Sequence, residues 1–422
     1  MHNTIVIIGA GFAGVWSAFS AKRLINLKQK GEDTEVVVIA PEPSLVMRPR
    51  LYEANASTMT QSLGALFEVA GIKFIQGTVE AIHPDAHTVE ARSPSGVTSS
   101  INYNRLILAA GSTLVRPDKV TGLHDHGFDI DSLDAAAQLE SHLESLALLP
   151  SSPARDTFVV CGAGFTGIEL ATELPSRLGN KGDIRVILVE FAEEVGPELG
   201  PGPRPVILQA LKDLGVEVKL GSAVTEVDAK GVTLSSGEYI ETMTAVWTAG
   251  VKATPLTQQI LGAKDSLSRL HVDQDLRIPT SPHIFATGDA AHALTDDKGH
   301  FATMSCQHAM LLGRVSGHNA AADLLKEPPV PYNQPSYGCC LDLGAWGAVI
   351  TRGWGREVLV TGESAKRVKT YINQKLIYPP QDAEEAIVIS DPSPYPDGDE
   401  LFDQLLVTLQ SNGHQEMTAF VM

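Results

Sequence analysis

The chain has 422 residues, 43% of them hydrophobic, and a formal charge of −18. That length predicts two or three domains with sizeable cores, and the acidic balance argues against nucleic acid as a partner. No apolar run nears the ~20 residues of a membrane-spanning helix, and the four cysteines lack the spacing of a secreted disulfide framework. The first predicted strand starts at Thr4, so no signal or transit peptide is expected ahead of it. A cytoplasmic protein is expected, with peripheral contact on the inner face of a membrane left open.

Thr4–Ile8 is a β-branched run suited to a strand buried on both faces. Gly9-Ala10-Gly11-Phe12-Ala13-Gly14 follows, and then an apolar-periodic helix. Gly9 permits the tight turn, Gly11 lets backbone approach a pyrophosphate, and Gly14 lets the helix pack on the strand. The helix start turns free N–H groups and the positive end of its dipole toward phosphate. The next predicted strand, Glu35–Ala40, should end in an acid that bonds a ribose. It ends instead in Ala40-Pro41-Glu42, with Glu42 as the nearest substitute. "MRPRLYEANA" then carries Arg48 and Arg50, and "YNRLILAAGS" (Tyr103–Ser112) carries Ala110 and Gly111.

A second copy of the motif comes at Phe158–Cys161, with Gly162, Gly164, Phe165, Thr166 and Gly167, and a helix from Ile168. Its partner strand, Ile184–Val189, leads into Glu190 about 20 residues on, the spacing the fingerprint requires. A carboxylate there bonds a 2′-hydroxyl and repels a 2′-phosphate, which favours NADH over NADPH. Two dinucleotide sites imply two dinucleotides, one resident and one exchanging, such as FAD and NAD(P)H. "SPHIFATGDAAHA" adds a short strand, Ile284–Ala286, ending at Gly288-Asp289.

The order GxGxxG, ATG-like strand, GxGxxG, TGD resembles that of the two-dinucleotide-binding flavoproteins, the pyridine nucleotide–disulfide oxidoreductase fold, over residues 4 to 325. The resemblance implies an α/β protein with two Rossmann-like domains. The FAD domain would be discontinuous (1–114 and 283–327), with an NAD(P)H domain (115–282) inserted. A small α+β C-terminal domain (328–380) and an acidic tail (381–422) would follow. In the C-terminal domain strands are expected at Ser336–Leu343, Gly347–Thr351 and Glu357–Thr361 and a helix at Ser364–Tyr378; in the tail, a short helix at Asp399–Leu409. Asp289 would meet the FAD ribityl chain. Val79 joins the candidate FAD set and Gly250 the NAD(P)H set.

Disulfide reductases of this fold place a cysteine pair near the flavin. Here the first such location has no cysteine and the second has Cys161 alone. Electrons are therefore expected to pass directly to a small acceptor. On "GAGFTGIELATEL", "MRPRLYEANA", "SCQHAMLLGR" and "CCLDLGAWGAVI" the chain resembles the type II NADH dehydrogenases and apoptosis-inducing-factor-like quinone reductases. That implies hydride transfer from NADH to FAD and reduction of a quinone-like acceptor. Glu169 would face the nicotinamide and flavin. Gln307, with His308 and Ala309, would start a helix aimed at the flavin pyrimidine edge. An alternative is a soluble oxidoreductase with a dedicated pathway substrate; a further one is an FAD-bearing, partner-binding protein. Homodimerisation stays open. His292, His300 and His308 could relay protons, although structural roles are the plainer reading for each. Cys339-Cys340 reads as small apolar packing. In "ESAKRVKTYINQKLIYPP", Ala365, Val368, Ile372 and Leu376 share one face and Lys366, Arg367, Lys369 and Lys375 decorate the other. Such a helix either closes the domain or lies on an anionic membrane.

Overall fold

The structure is a computed structural model and describes residues 3–179 and 184–393. The helix expected over Asp399–Leu409 lies outside the described residues.

The β-branched run after Met1 and His2 becomes the strand Asn3–Ile8, whose Ile5, Val6 and Ile7 are fully buried. It stands parallel between Thr34–Ala40 and Arg105–Leu108, with Val6 opposite both Val37 and Leu106. Lys73–Gln76 extends one edge. Ser281–Ala286 extends the other, parallel to Arg105–Leu108, although the whole second glycine motif lies between them in the chain. Arg277–Ile278 closes that edge in antiparallel pairing. A second sheet has the order Glu217–Lys219, Arg185–Val189, Thr157–Cys161, Thr244–Trp247, all parallel. Strands buried on both faces by helices need continuous apolar runs, which these are.

The helix after the second loop starts at Phe165, ahead of the predicted Ile168. Its first residues, Phe165 and Thr166, line a cavity, Phe165 packing only partly against the core. Apolar periodicity therefore begins only after the helix has begun. Glu169 accordingly falls in the second turn, so the preference of acids for the first turn does not explain it.

The last unit is an antiparallel sheet, Gly338–Asp342, Ala348–Arg352 and Glu357–Thr361. The helix that follows, Gly362–Tyr371, starts ahead of the predicted Ser364 and widens into a π-helical turn at Ile372–Leu376. Such turns gather at functional sites. Lys369, read above as an outward-facing cation, is 5% exposed. The segment read as acidic tail holds a helix at Ala383–Ile389, where Asp382 accepts the Glu385 N–H at 2.8 Å. The Asp382-x-x-Glu385 spacing is a capping-box signal of the acidic kind. Among the described residues no helix is long and apolar enough to cross a membrane.

Candidate active site

A cavity of about 2140 Å³ is lined by both glycine loops. One drug-sized ligand needs about 300–1,000 Å³, so this cavity has room for more than one. From the first loop Gly9, Gly11, Phe12 and Ala13 line it; from the second, Gly162, Gly164, Phe165 and Thr166. Gly14 and Gly167 do not. A Cβ on Gly14 would stand 2.0 Å from the Gly9 carbonyl oxygen, and one on Gly167 1.8 Å from that of Gly162. Both glycines let a helix close on its own strand. A Cβ on Gly11 would meet nothing within 4 Å. That open floor fits the close approach of a pyrophosphate.

Ala110, Gly111, Gly250, Gly288 and Asp289 also line the cavity. Arg48 spans this wall: it donates to Ser112 Oγ at 2.8 Å and pairs with Asp131. Ser112 Oγ donates in turn to Asp289 Oδ2 at 2.6 Å. Burial pushes the Asp289 carboxyl above its usual range, while Ser112 and Arg48 draw it back. Arg50 does not reach the cavity; it binds Glu53 at 2.6 Å and the Tyr378 hydroxyl at 2.9 Å. Val79 does not reach it either, because its strand, Thr78–His83, turns that side chain into the core.

Glu42 and Glu190 both line the cavity. Glu190 accepts the N–H groups of Ala163 (2.6 Å) and Ala192 (2.9 Å), which fixes it against the second loop. Glu42 lies on an exposed loop and accepts from Gln76 Nε2 at 3.1 Å.

The helix Cys306–Leu325 presents Cys306, Gln307 and Ala309 to the cavity, with Ser305 Oγ capping the His308 N–H. The His308 side chain is fully buried and away from the cavity. Burial pushes it down to about 3, so it stays neutral. Its Nδ1 sits 3.0 Å from Ser305 Oγ and its ring stacks on Tyr337. His300 stacks on Trp354, and His292 on Phe301. The three histidines thus do not line the cavity as a relay. Cys161, Cys306, Cys339 and Cys340 do line it, all as free thiols. Burial pushes Cys306 up to about 11 and Cys161 and Cys340 to about 12, well away from thiolate chemistry.

Glu169 lines the cavity at 3% exposure. Its Oε1 is 2.8 Å from Lys369 Nζ and accepts the Asp342 N–H at 3.0 Å. Burial pushes this carboxyl up to about 7, with the Lys369 ammonium pulling it back; Glu169 in turn holds Lys369 above its usual range. Here is a buried acid able to exchange a proton near neutrality beside a fixed cation.

The family model for pyridine nucleotide-disulphide oxidoreductases matches residues 3–313. The chain belongs to this family. An NADH dehydrogenase-like protein of Mycobacterium tuberculosis is 42% identical over 397 residues, 92% of this chain and 98% of that protein. A demethylphylloquinone reductase of Synechocystis is 28% identical over 86% of this chain and 89% of its own length. The sulfide:quinone oxidoreductase of Aquifex aeolicus shares the fold with TM-score 0.75 across 95% of both chains at 17% identity. NDH2 of Plasmodium falciparum, solved with NADH, does so with TM-score 0.73 across 92% of this chain and 97% of its own at 15% identity. The protein is therefore an NADH dehydrogenase-like oxidoreductase of this family, a flavoenzyme that uses a pyridine nucleotide.

Within this family member the sequence reading missed Lys369, Asp342, Tyr52 and Asn373, all buried near Glu169. A signal for Lys369 was present: it stands four residues past Ala365 and three before Ile372, on the apolar face.

Proposed function

We propose that the protein transfers a hydride from NADH to a resident FAD and passes the electrons to a quinone. The observation that carries this reading is one cavity shared by both glycine loops and by the Glu169–Lys369 pair. FAD supplies the two-electron relay when bound. The first loop, with Arg48 and Asp289, is assigned to its pyrophosphate and ribityl chain. The second loop and Glu190 are assigned to NADH, the carboxylate meeting the ribose hydroxyls. The N-terminus of Cys306–Leu325, with Gln307 and Ala309, turns its positive end toward negative charge developing on the ring system. Glu169 and Lys369 are assigned to the nicotinamide and acceptor end, where they orient the acceptor and hand over a proton. We place the FAD domain at 1–114 and 283–327 and the NAD(P)H domain at 115–282.

The test is anaerobic. Heat releases the chromophore for identification by mass, NADH and NADPH are compared as reductants, and the reduced protein is mixed with a panel of quinones and with oxygen. FAD, faster reduction by NADH and rapid reoxidation by a quinone are expected. A released FMN, or reduced protein that no quinone reoxidises, would overturn the assignment.

A further inference from the structure

Beside the Glu169–Lys369 pair a chain of polar groups runs from a partly exposed lysine to the cavity wall. Lys366 Nζ, partly exposed, pairs with Asp342 Oδ1 at 2.5 Å, and Asp342 is 4% exposed. The Tyr52 hydroxyl donates to Asp342 Oδ2 at 2.9 Å. Tyr52 itself lines the cavity, and Lys369 Nζ lies 5.9 Å from its ring centre. Asp342 also gives its N–H to Glu169. We infer that Lys366, Asp342 and Tyr52 form a proton-supply route from solvent to the Glu169–Lys369 pair.

This rests on the quinone reading above. In that reaction the C–H bond of the dihydronicotinamide breaks and delivers two electrons and one proton. Hydroquinone has two new O–H bonds. One proton per turnover must come from solvent. With nicotinamide and acceptor both in the cavity, Glu169 is shut off on that side and needs a supply through the protein. Lys369 is the link: its ammonium has three donors, one meeting Glu169 Oε1 at 2.8 Å and one the Cys340 carbonyl at 3.1 Å. A second arm does not conduct. Asn373 Nδ2 donates to the Tyr52 hydroxyl at 3.2 Å and to Glu53 Oε1 at 2.9 Å, and Glu53 holds Arg50. An amide there anchors the phenol without passing a proton. Glu173 and Arg177, on the Glu169 helix, complete the charged surroundings. Lys366, Asp342 and Tyr52 act through Glu169 and are positioning residues.

The experiment compares two acceptors on the full flavin-loaded chain. Hydroquinone formation needs the proton; ferricyanide reduction needs only electrons. Tyr52→Phe and Asp342→Asn should slow quinone-driven turnover roughly a hundredfold, the scale of general acid catalysis, and ferricyanide turnover far less. Asp342→Glu should restore most of the loss. Lys366→Met, at the partly exposed entry, gives a second route to the answer if either buried variant fails to fold, and should show the same split. A readout independent of turnover is the infrared carboxylic-acid band of Glu169, identified by its loss in Glu169→Gln. Removing the Asp342 charge should move its titration to lower pH. Equal losses with both acceptors, no loss with either, or an unmoved Glu169 band would overturn the route. A wild-type protein that reduces no quinone would instead overturn the parent reading, and this route with it.

Discussion

Gly9 and Gly162 sit at φ +106° and +112°, and Gly11 and Gly164 share an extended backbone at φ −75°, ψ −174° and φ −74°, ψ −174°. The two loops are one backbone device used twice. What surrounds them differs. The Phe12–Leu27 helix is buried on nearly every side and packs along Cys306–Leu325. The Phe165–Leu178 helix carries a buried Glu169. Its loop is held by two carboxylates: Glu190 on Ala163 N–H and Glu198 on Phe165 N–H. Among the described residues the first loop has no counterpart to either; Glu42 bonds Gln76 instead. An enclosed, apolar setting suits a dinucleotide that stays. A polar, acid-rimmed setting suits one that binds, reacts and leaves. The same glycines can thus serve opposite exchange rates, and the difference lies in their neighbours.

The sharpest way to break that comparison is to put a methyl group at each helix–strand crossing. Gly14→Ala and Gly167→Ala face the same clash, 2.0 and 1.8 Å from a carbonyl oxygen. Gly14→Ala should yield protein without bound flavin, read from visible absorbance. Gly167→Ala should keep its flavin, yet be reduced by NADH roughly a hundredfold more slowly, the scale of a reactant misplaced by about 1 Å. Loss of flavin from both would mean that the loops are not independent.

Next in size is the pH dependence built into Glu169. Its carboxyl is raised from 4.5 to about 7 by burial. A group whose folded value lies above its unfolded one stabilises the fold at low pH, and that contribution fades as pH rises through the folded value. From about pH 5 to about pH 8 this group should remove on the order of 3 kcal/mol of wild-type stability. Glu169→Gln lacks that decline. It also leaves Lys369 without the carboxylate that raises it, which acts in the same direction. In urea unfolding the variant should therefore gain on wild type as pH rises. A constant difference across that range would mean that Glu169 does not titrate there.

Much of the fold was legible because glycines and β-branched runs act locally. Both GxGxxG loops, the strands Thr34–Ala40 and Arg185–Val189 and the three-stranded sheet near the C-terminus each follow from a few adjacent residues. Most loop residues assigned to the cavity line it for the same reason. The misses are non-local. Arg50 is drawn off by Glu53 and Tyr378, and Val79 by the facing of its strand. His308 faces Tyr337 because Ser305 caps the helix that carries it. Lys369 was misread because lysine counts as polar in any periodicity count. Its place between Ala365 and Ile372 was the local signal, and the distant Glu169 and the Cys340 carbonyl are what satisfy its ammonium there.

A smaller effect tests the exchanging site alone. Glu190→Ala removes the charge that repels a 2′-phosphate, so the preference for NADH over NADPH should narrow about tenfold, one screened charge interaction of roughly 1.4 kcal/mol. It also frees the Ala163 and Ala192 N–H groups, so affinity for both nucleotides should fall somewhat. Single-turnover reduction with each nucleotide reads this out. An unchanged ratio would remove Glu190 from the specificity assignment.

The smallest expected effect concerns Glu198. Its Oε1 accepts the Phe165 N–H at 2.8 Å, the group that a pyrophosphate on this helix end would need. Glu198 is exposed and lines the cavity, so it can leave without breaking the core. Nucleotide entry must displace it, and its charge opposes the phosphates meanwhile. Glu198→Gln keeps the side-chain length and removes the charge. The KM for NADH should fall by roughly two- to fivefold, matching the ~0.3–1 kcal/mol of a charge at a helix N-terminus. kcat should not move, because the carboxylate is gone from the loop before chemistry begins. Added salt should shrink the gap between variant and wild type, since an exposed charge is screened within about 10 Å at 0.1 M. A KM that rises would show that Glu198 orders the loop for the nucleotide. The second site would then be preformed like the first, and the contrast between them would rest on Glu190 and Glu169 alone.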